Sequence, residues 1–141
     1  MNAELQTRQE EIVEEFSFYE DWMEKYEQLI EMGKELDALP EQSRLDEHLI
    51  RGCQSRVWLL ASKDENESVR FQADSDAIIT KGLVALMVRV LDGLPPKDIA
   101  ESDLWFIEKI GLDKHLSPTR ANGLNSMVLQ MKRYGVAFQA R

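Results

Sequence analysis

The sequence predicts an α+β fold in which N-terminal, central and C-terminal helices pack around a small antiparallel sheet. Apolar residues recur at spacings of three and four near both ends of the chain and in its middle, which is typical of amphipathic helices. Two short β-prone runs separate the N-terminal helices from the central one. A length of 141 residues with 43% apolar composition fits a single domain over residues 1–141.

The N-terminal part predicts two helices followed by a loop. Ile12, Val13 and Phe16 indicate a first and shorter helix. The second helix carries apolar residues at helical spacing with charged residues between them: Tyr19, Trp22, Met23, Tyr26, Leu29 and Ile30. Because the residue before a proline disfavours the helical conformation, Pro40 predicts that this helix ends near Ala38 or earlier.

The two β-prone runs, residues 57–61 and 69–73, are joined by a charged stretch with turn-forming residues and predict an antiparallel hairpin. Residues 74–76 (Asp-Ser-Asp) are candidates for the N-cap of a helix over residues 77–91. Apolar residues cover most of the circumference of this helix, so we expect it to lie buried against the sheet.

The C-terminal part predicts a short packed segment and a last helix. Gly-Leu-Pro-Pro at residues 93–96 interrupts the chain, and residues 104–107 predict the packed segment. Ser117 and Pro118 predict an N-cap followed by proline at the first helical position. Apolar residues continue at helical spacing beyond them: Leu124, Met127, Val128, Met131, Tyr134 and Phe138.

The charge and hydropathy of the chain exclude several classes of partner. Seventeen basic and 26 acidic residues give a formal net charge of −9, which repels phosphate backbones and anionic lipids. The longest wholly apolar run, residues 83–88, is far shorter than the ~20 residues that cross a bilayer. The acidic N-terminal stretch lacks the apolar run of a cleaved export signal. We therefore expect a soluble protein that binds neither nucleic acid nor membrane.

The count of soft ligands restricts the chemistry. A single cysteine cannot form an internal disulfide, and an unpaired thiol persists best in a reducing compartment, which predicts a cytoplasmic location. One cysteine and two scattered histidines are too few to hold zinc or an iron–sulfur cluster. The sequence therefore predicts no metal site.

Cys53 is the candidate reactive residue, because it lies just before the hairpin in surroundings that are unusual for a structural thiol. Its neighbours are basic, small or polar: Arg51, Gly52, Gln54, Ser55 and Arg56. The two arginines are expected to favour the thiolate, which is the nucleophilic form. Composition alone leaves open an inert cysteine, since unpaired thiols without a role are common.

Three ordered sequence blocks resemble the SufE family. The first is GCQSRVWL at residues 52–59, which resembles the family signature G-C-x-[SN]-x-V-W. The second is DSDAIITKGL at residues 74–83, and the third is LSPTRANGL at residues 116–124, which matches L-[ST]-x-[ST]-R-x-x-G-L. Gln54, Ser55 and the start of the second block look more like SufE proper than the similar CsdE branch.

The resemblance implies a sulfur acceptor with a fold similar to IscU scaffolds. The family's accepting cysteine falls on Cys53, which is expected to take persulfide sulfur from a SufS-type cysteine desulfurase and to stimulate that enzyme. The sulfur is then expected to pass to a SufB-containing scaffold for iron–sulfur cluster assembly. Pyridoxal phosphate belongs to the desulfurase, and no cofactor is expected on this chain. The chain is thus expected to act as a sulfur-transfer partner rather than as a stand-alone enzyme.

The neighbours of the thiol are expected to support the loop or bind the partner. Arg51 and Arg56 are expected to face carboxylates of the desulfurase, because exposed charges steer association. Gly52 gives the backbone freedom and is the expected hinge. Gln54 and Ser55 are also expected to support the loop or to bind the partner.

Arg120 is the other candidate site residue. It lies in the third block near the start of a helix, where the helix dipole does not favour a cation. It is interpreted as an anchor of the cysteine loop or a contact with the desulfurase. A surface arginine paired with a carboxylate is the alternative.

Two other functions remain open. His48 lies five residues before Cys53 and suggests the Cys–His pair of a thiol hydrolase, although no family block includes it. The other alternative is an interaction module that activates a desulfurase without accepting sulfur. The sequence leaves open which desulfurase is the donor and whether the chain forms a homodimer.

Overall fold

The computed structural model describes residues 2–140. Seven α-helices and two strands follow one another in these residues: α1 Ala3–Ser17, α2 Trp22–Glu35, β1 Val57–Lys63, β2 Val69–Ser75, α3 Ile78–Leu91, α4 Pro96–Ala100, α5 Phe106–Lys109, α6 Leu112–His115 and α7 Pro118–Gln139. Two short 3₁₀ helices, Glu41–Ser43 and Asp46–His48, lie between α2 and β1. The predicted α+β architecture is confirmed.

The two strands form an antiparallel hairpin along their whole length. The register runs from Val57 opposite Ser75 to Lys63 opposite Val69. Both strands extend beyond the predicted runs, because pairing continues to the last residue of β2. The hairpin prediction is confirmed, and the hairpin is longer than expected.

Helix α3 lies at the centre of the core and packs against α2, α7 and β2. Leu86, Val90 and Leu91 on this helix have no exposed surface, which confirms the predicted burial. The crossing with α2 is very close at Gly82, where an added Cβ would overlap the backbone of Leu29. Glycine at this position therefore sets how closely the two helices approach.

The N-terminal helices differ from the prediction in relative length. Helix α1 has 15 residues and α2 has 14, so the first helix is not the shorter one. Asn2 explains the early start of α1, because its side chain accepts a hydrogen bond from the N–H of Leu5 at 2.9 Å. Asp21 caps α2 in the same way through the N–H of Glu24 at 2.9 Å. Helix α2 ends before Ala38, as predicted.

The predicted N-cap at residues 74–76 is wrong. Asp74 and Ser75 belong to β2, because ladder pairing keeps them extended. Helix α3 begins at Ile78, with Ala77 in the cap position and no side-chain hydrogen bond to the first turn. The polar side chains of this segment have other partners, which are described with the site.

The C-terminal part follows the prediction. The segment at residues 104–107 leads into the short helix α5. Ser117 is the N-cap of α7, with Pro118 at the first helical position, and the Ser117 Oγ accepts a hydrogen bond from the N–H of Arg120 at 3.2 Å. Within residues 2–140, no helix combines the length and the apolar character needed to cross a membrane.

Candidate functional site

Residues 51–56, the Cys53 loop, lie between the second 3₁₀ helix and β1 and lead directly into β1. Gly52 has φ 94°, a left-handed conformation that disfavours any residue with a Cβ. Gly52 also lies directly on α7, where an added Cβ would overlap the side chain of Ser126. Both the turn and the close packing therefore require glycine beside the cysteine.

The Cys53 thiol is partly buried and donates a hydrogen bond to the carbonyl oxygen of Gly123 at 3.5 Å. Burial raises the pKa of this thiol, because it disfavours the charged thiolate. The prediction that Arg51 and Arg56 favour the thiolate is therefore wrong for this conformation. Both arginines are exposed, and water screens exposed charges.

The end of the loop at Arg56 is fixed by the segment that follows β2. The Asp76 Oδ1 accepts a hydrogen bond from the N–H of Arg56 at 3.0 Å. The Arg56 carbonyl accepts bonds from the Ser75 hydroxyl at 2.8 Å and from the Asp76 N–H at 3.3 Å. Residues interpreted as helix caps thus hold the cysteine loop, a role that only their place in the second family block could have suggested.

A cavity of about 760 Å³ opens in front of the thiol, and we call it the Cys53 cavity. The loop, the start of α3 and the start of α7 line it, and the residues that matter for function are Cys53, Gln54, Ser55, Ile78, Arg120 and Gly123. Ile78 is 68% exposed, so the mouth carries an apolar side chain as well as polar ones. The cavity's volume lies within the roughly 300–1,000 Å³ that is usual for binding pockets, so the cavity has room for a side chain of another molecule.

The structure brings part of the predicted site together. Gln54, Ser55 and Arg120 line the cavity with Cys53, whereas Arg51 lies in a neighbouring groove. Arg120 is exposed, and no hydrogen bond or ion pair joins its side chain to the Cys53 loop within residues 2–140. Arg120 is therefore an exposed residue of the cavity lining.

Asp74 is a buried carboxylate that joins three segments near the site. Its Oδ2 accepts hydrogen bonds from the N–H of Leu39 at 3.0 Å and from Arg44 at 2.8 Å, and its Oδ1 lies 3.3 Å from the Nζ of Lys81. Burial alone would raise the pKa of Asp74, but hydrogen bonds from the N–H groups of Leu39 and Ser75 and the charge of Lys81 outweigh it and lower the pKa. Asp74 is thus a charged structural link.

Neither histidine lines the Cys53 cavity. His48 ends the second 3₁₀ helix, its Nε2 is 4.0 Å from a carboxylate oxygen of Glu47, and it does not line the Cys53 cavity. His115 stacks on Trp22 with ring centroids 4.1 Å apart. Within the described residues, no group of three or more Cys, His, Asp or Glu side chains is placed to hold a metal ion.

The chain is similar in sequence to a known protein family and to several of its members. The family model described as "SufE: Fe-S metabolism associated domain" matches residues 10–135. An uncharacterised SufE-like protein of Rhizobium meliloti is 41% identical over 130 residues, which is 89% of this chain and 93% of the relative. An uncharacterised SufE-like protein of Synechocystis is 39% identical over 138 residues, which is 98% of this chain and 86% of the relative.

A plant protein and a solved structure extend the comparison. SufE-like protein 1, chloroplastic/mitochondrial, of Arabidopsis thaliana is 38% identical over 138 residues, which is 98% of this chain but 37% of the plant protein. The solution structure of a hypothetical protein from Thermus thermophilus superposes with a TM-score of 0.77 at 20% identity and covers 95% of this chain and 97% of that chain. The structural likeness confirms the fold.

Proposed function

The chain belongs to the SufE family, whose domain is associated with Fe-S metabolism, and we propose that it is a sulfur acceptor that takes persulfide sulfur onto Cys53. The proposed donor is a SufS-type cysteine desulfurase, which the chain also stimulates. The proposed recipient is a SufB-containing scaffold for iron–sulfur cluster assembly. The proposed location is the cytoplasm, since an unpaired thiol persists best under reducing conditions.

The observation that supports this proposal best is the position of Cys53. The cysteine of the family signature is partly exposed and lines a cavity of about 760 Å³. No histidine lines this cavity among the described residues, so the thiol has no neighbouring imidazole that could serve as the base of a hydrolase. This arrangement favours sulfur acceptance over hydrolysis.

The proposed reaction is a transfer of one sulfur atom between two cysteines. The Cys53 thiolate attacks the outer sulfur of the desulfurase persulfide, and a new S–S bond forms on Cys53. The S–S bond of the donor breaks, and the desulfurase cysteine leaves as a thiolate. The proton that Cys53 loses is balanced by the proton that the departing thiolate takes up. No electrons are gained or lost overall, so the step needs no oxidant or cofactor on this chain.

The proposal includes a movement of the Cys53 loop before transfer. The thiol is protonated while burial raises its pKa and Gly123 accepts its hydrogen bond. Movement about Gly52, together with release of the Arg56 N–H from Asp76, would carry the sulfur away from Gly123 and into the cavity. The same enclosure would protect a persulfide from reductants between docking events.

Docking is proposed to place donor carboxylates against exposed arginines at the site. Arg51, Arg56 and Arg120 are the candidates, because all three are exposed. Pyridoxal phosphate is proposed to remain on the desulfurase throughout. Charge reversal at Arg51 or Arg56 should weaken docking more at low salt than at high salt, since salt screens exposed charges.

Cys53→Ser tests the proposal directly. Serine keeps the approximate size of the side chain but cannot form a persulfide. Intact mass should show an added sulfur on the unchanged chain after incubation with a SufS-type desulfurase and cysteine, and none on the serine variant. Desulfurase turnover should be stimulated only by the unchanged chain, while circular dichroism of the two proteins agrees.

Two outcomes would select the alternatives. Full stimulation of turnover by folded Cys53→Ser protein would favour an interaction module that does not accept sulfur. Loss of hydrolytic activity in His48→Ala, with unchanged binding of the desulfurase, would favour the thiol hydrolase. The sulfur-acceptor proposal instead expects His48→Ala to accept sulfur at the unchanged rate.

A further inference from the structure

A second groove lies beside the Cys53 cavity, and we call it the arginine groove. It has a volume of about 290 Å³ and is lined by Leu49 and Ile50 before the Cys53 loop, by Arg51 in the loop, and by one face of α7: Ser126, Leu129, Gln130 and Arg133. Gly52 packs on Ser126. It lies between Arg51, which lines the groove, and Cys53, which lines the cavity. The two sites therefore share the loop as their boundary.

The arginine groove is positively charged on a strongly acidic protein. The chain has a net charge of −9, yet no residue that lines the groove is acidic. Helix α7 as a whole contains Arg120, Lys132 and Arg133 and no acidic residue. Neither Arg51 nor Arg133 forms an ion pair within residues 2–140. These charges are available to carboxylates of another molecule.

Exposed apolar side chains lie next to these charges. Leu129 is 50% exposed and Val136 is 61% exposed. Residues three and four apart share a helix face, so Leu129, Arg133 and Val136 form one stripe along α7. The stripe thus combines an apolar surface with a cation, which suits a partner segment of the complementary composition.

The groove lies within the area that a docked donor must cover. On α7, Gly123 packs against Cys53 and Ser126 packs against Gly52. These two α7 residues are three positions apart, which is about 4.5 Å along the helix axis. A specific protein interface covers roughly 800 Å² on each partner, far more than the mouth of one cavity. A protein that delivers sulfur to Cys53 therefore reaches this face of α7 as well.

We propose that the arginine groove is a second docking site for the desulfurase and takes an acidic segment that bears a large apolar side chain. Carboxylates of this segment pair with Arg51 and Arg133, and its apolar side chain covers Leu129. The donor persulfide enters the Cys53 cavity at the same time. The inference rests on the proposed function, because it takes the sulfur donor to be a desulfurase.

Calorimetric titration of the full chain into a purified SufS-type desulfurase, without cysteine, tests this site apart from any chemistry. Arg133→Glu should raise Kd about tenfold at low salt and much less at high salt. Leu129→Ser should raise Kd about threefold with little salt dependence, since it removes apolar contact. Lys109→Glu, which makes the same charge change at an exposed position of α5, is the matched control and should alter Kd less than about twofold.

The results separate this site from the proposed function. If Arg133→Glu changes Kd no more than Lys109→Glu does at low salt, the groove is not a docking site, even when intact mass shows sulfur on Cys53. If the unchanged chain gains no sulfur but Arg133→Glu still loses affinity, the sulfur-acceptor proposal fails and the docking site stands. Circular dichroism and thermal unfolding of each variant must match the unchanged chain, which excludes misfolding as the cause.

Discussion

The Cys53 sulfur lies 3.5 Å from the carbonyl oxygen of Gly123, seventy residues further along the chain. This contact joins the Cys53 loop to the first turns of α7, and it uses the thiol, rather than the thiolate, as the hydrogen-bond donor. Because the same contact removes surface from water, it also contributes to the raised pKa of the thiol. The resting site is therefore arranged to hold the sulfur in its less reactive form.

Cys53 should react slowly with alkylating reagents in the native chain. Its folded-state pKa is raised above an unfolded value of about 8.5. Iodoacetamide should modify the native chain more slowly than the urea-unfolded chain at about pH 8, and the native rate should keep rising at higher pH. A native pH–rate midpoint below that of the unfolded chain would show instead that the arginines activate the thiol.

The raised pKa of Cys53 also predicts how the free energy of unfolding changes with pH. A raised folded-state pKa stabilises the folded chain below the unfolded pKa, and this contribution is lost as the pH rises through the folded pKa. The unfolding free energy should therefore fall in the alkaline range more for the unchanged chain than for Cys53→Ser. Urea unfolding across that range measures the difference.

Local sequence signals predicted the parts of the structure that depend on neighbouring residues. The hairpin follows from two β-prone runs and a charged turn, and the α7 cap follows from Ser117 and Pro118. Cys53 could be singled out because its sequence neighbours are polar or basic. These features need no knowledge of distant contacts.

Long-range contacts explain what the sequence did not predict. The pKa of Cys53 depends on burial that distant segments create, whereas the nearby arginines extend into solvent. Asp74 and Asp76 look like helix caps in one dimension, but strand pairing places Asp74 inside the protein and turns Asp76 towards the loop. A residue's chemistry here follows from its three-dimensional neighbours rather than its sequence neighbours.

Gly82→Ala should destabilise the fold through the crossing of α2 and α3. An added Cβ at residue 82 would overlap the backbone of Leu29, which cannot move without shifting α2. We expect a loss of roughly 1–3 kcal/mol in unfolding free energy. Gly123→Ala is the matched control, because its Cβ would meet the Cys53 sulfur at an ordinary 3.5 Å. Equal stability of both variants in urea unfolding would contradict the close crossing.

Asp74→Asn should weaken the fold at neutral pH by about 1.5–3 kcal/mol, because charged hydrogen bonds to Arg44 and Lys81 are lost. The pKa of Asp74 is lowered, so its contribution is present above the unfolded pKa of about 3.9 and is lost as the pH falls through the folded pKa. Acid should therefore destabilise the unchanged chain more than the variant. Asp113→Asn, at an exposed position of α6, is the control and should keep the full acid sensitivity.

Asp76→Ala should make Cys53 more reactive, because the Asp76 carboxylate holds the Arg56 end of the Cys53 loop and the substitution weakens that hold. The substitution removes the acceptor for the Arg56 N–H, a loss of about 1 kcal/mol. If that bond is absent when the loop opens, the open population rises about fivefold and the iodoacetamide rate rises with it. The Ser75 bond to the Arg56 carbonyl remains, so the hairpin itself should stay intact.

Asp64→Ala is the matched control for this experiment, since it separates loop release from general destabilisation. The Asp64 carboxylate also accepts backbone bonds, from Asn66 and Ser68 at 2.9 Å, but it lies at the far end of the same hairpin. This variant should lose a similar amount of stability in urea without faster alkylation of Cys53. Equal acceleration of alkylation in the two variants would mean that loss of stability anywhere in the hairpin exposes the thiol. Acceleration in Asp76→Ala alone would show that the bond between Asp76 and Arg56 controls the exposure of Cys53.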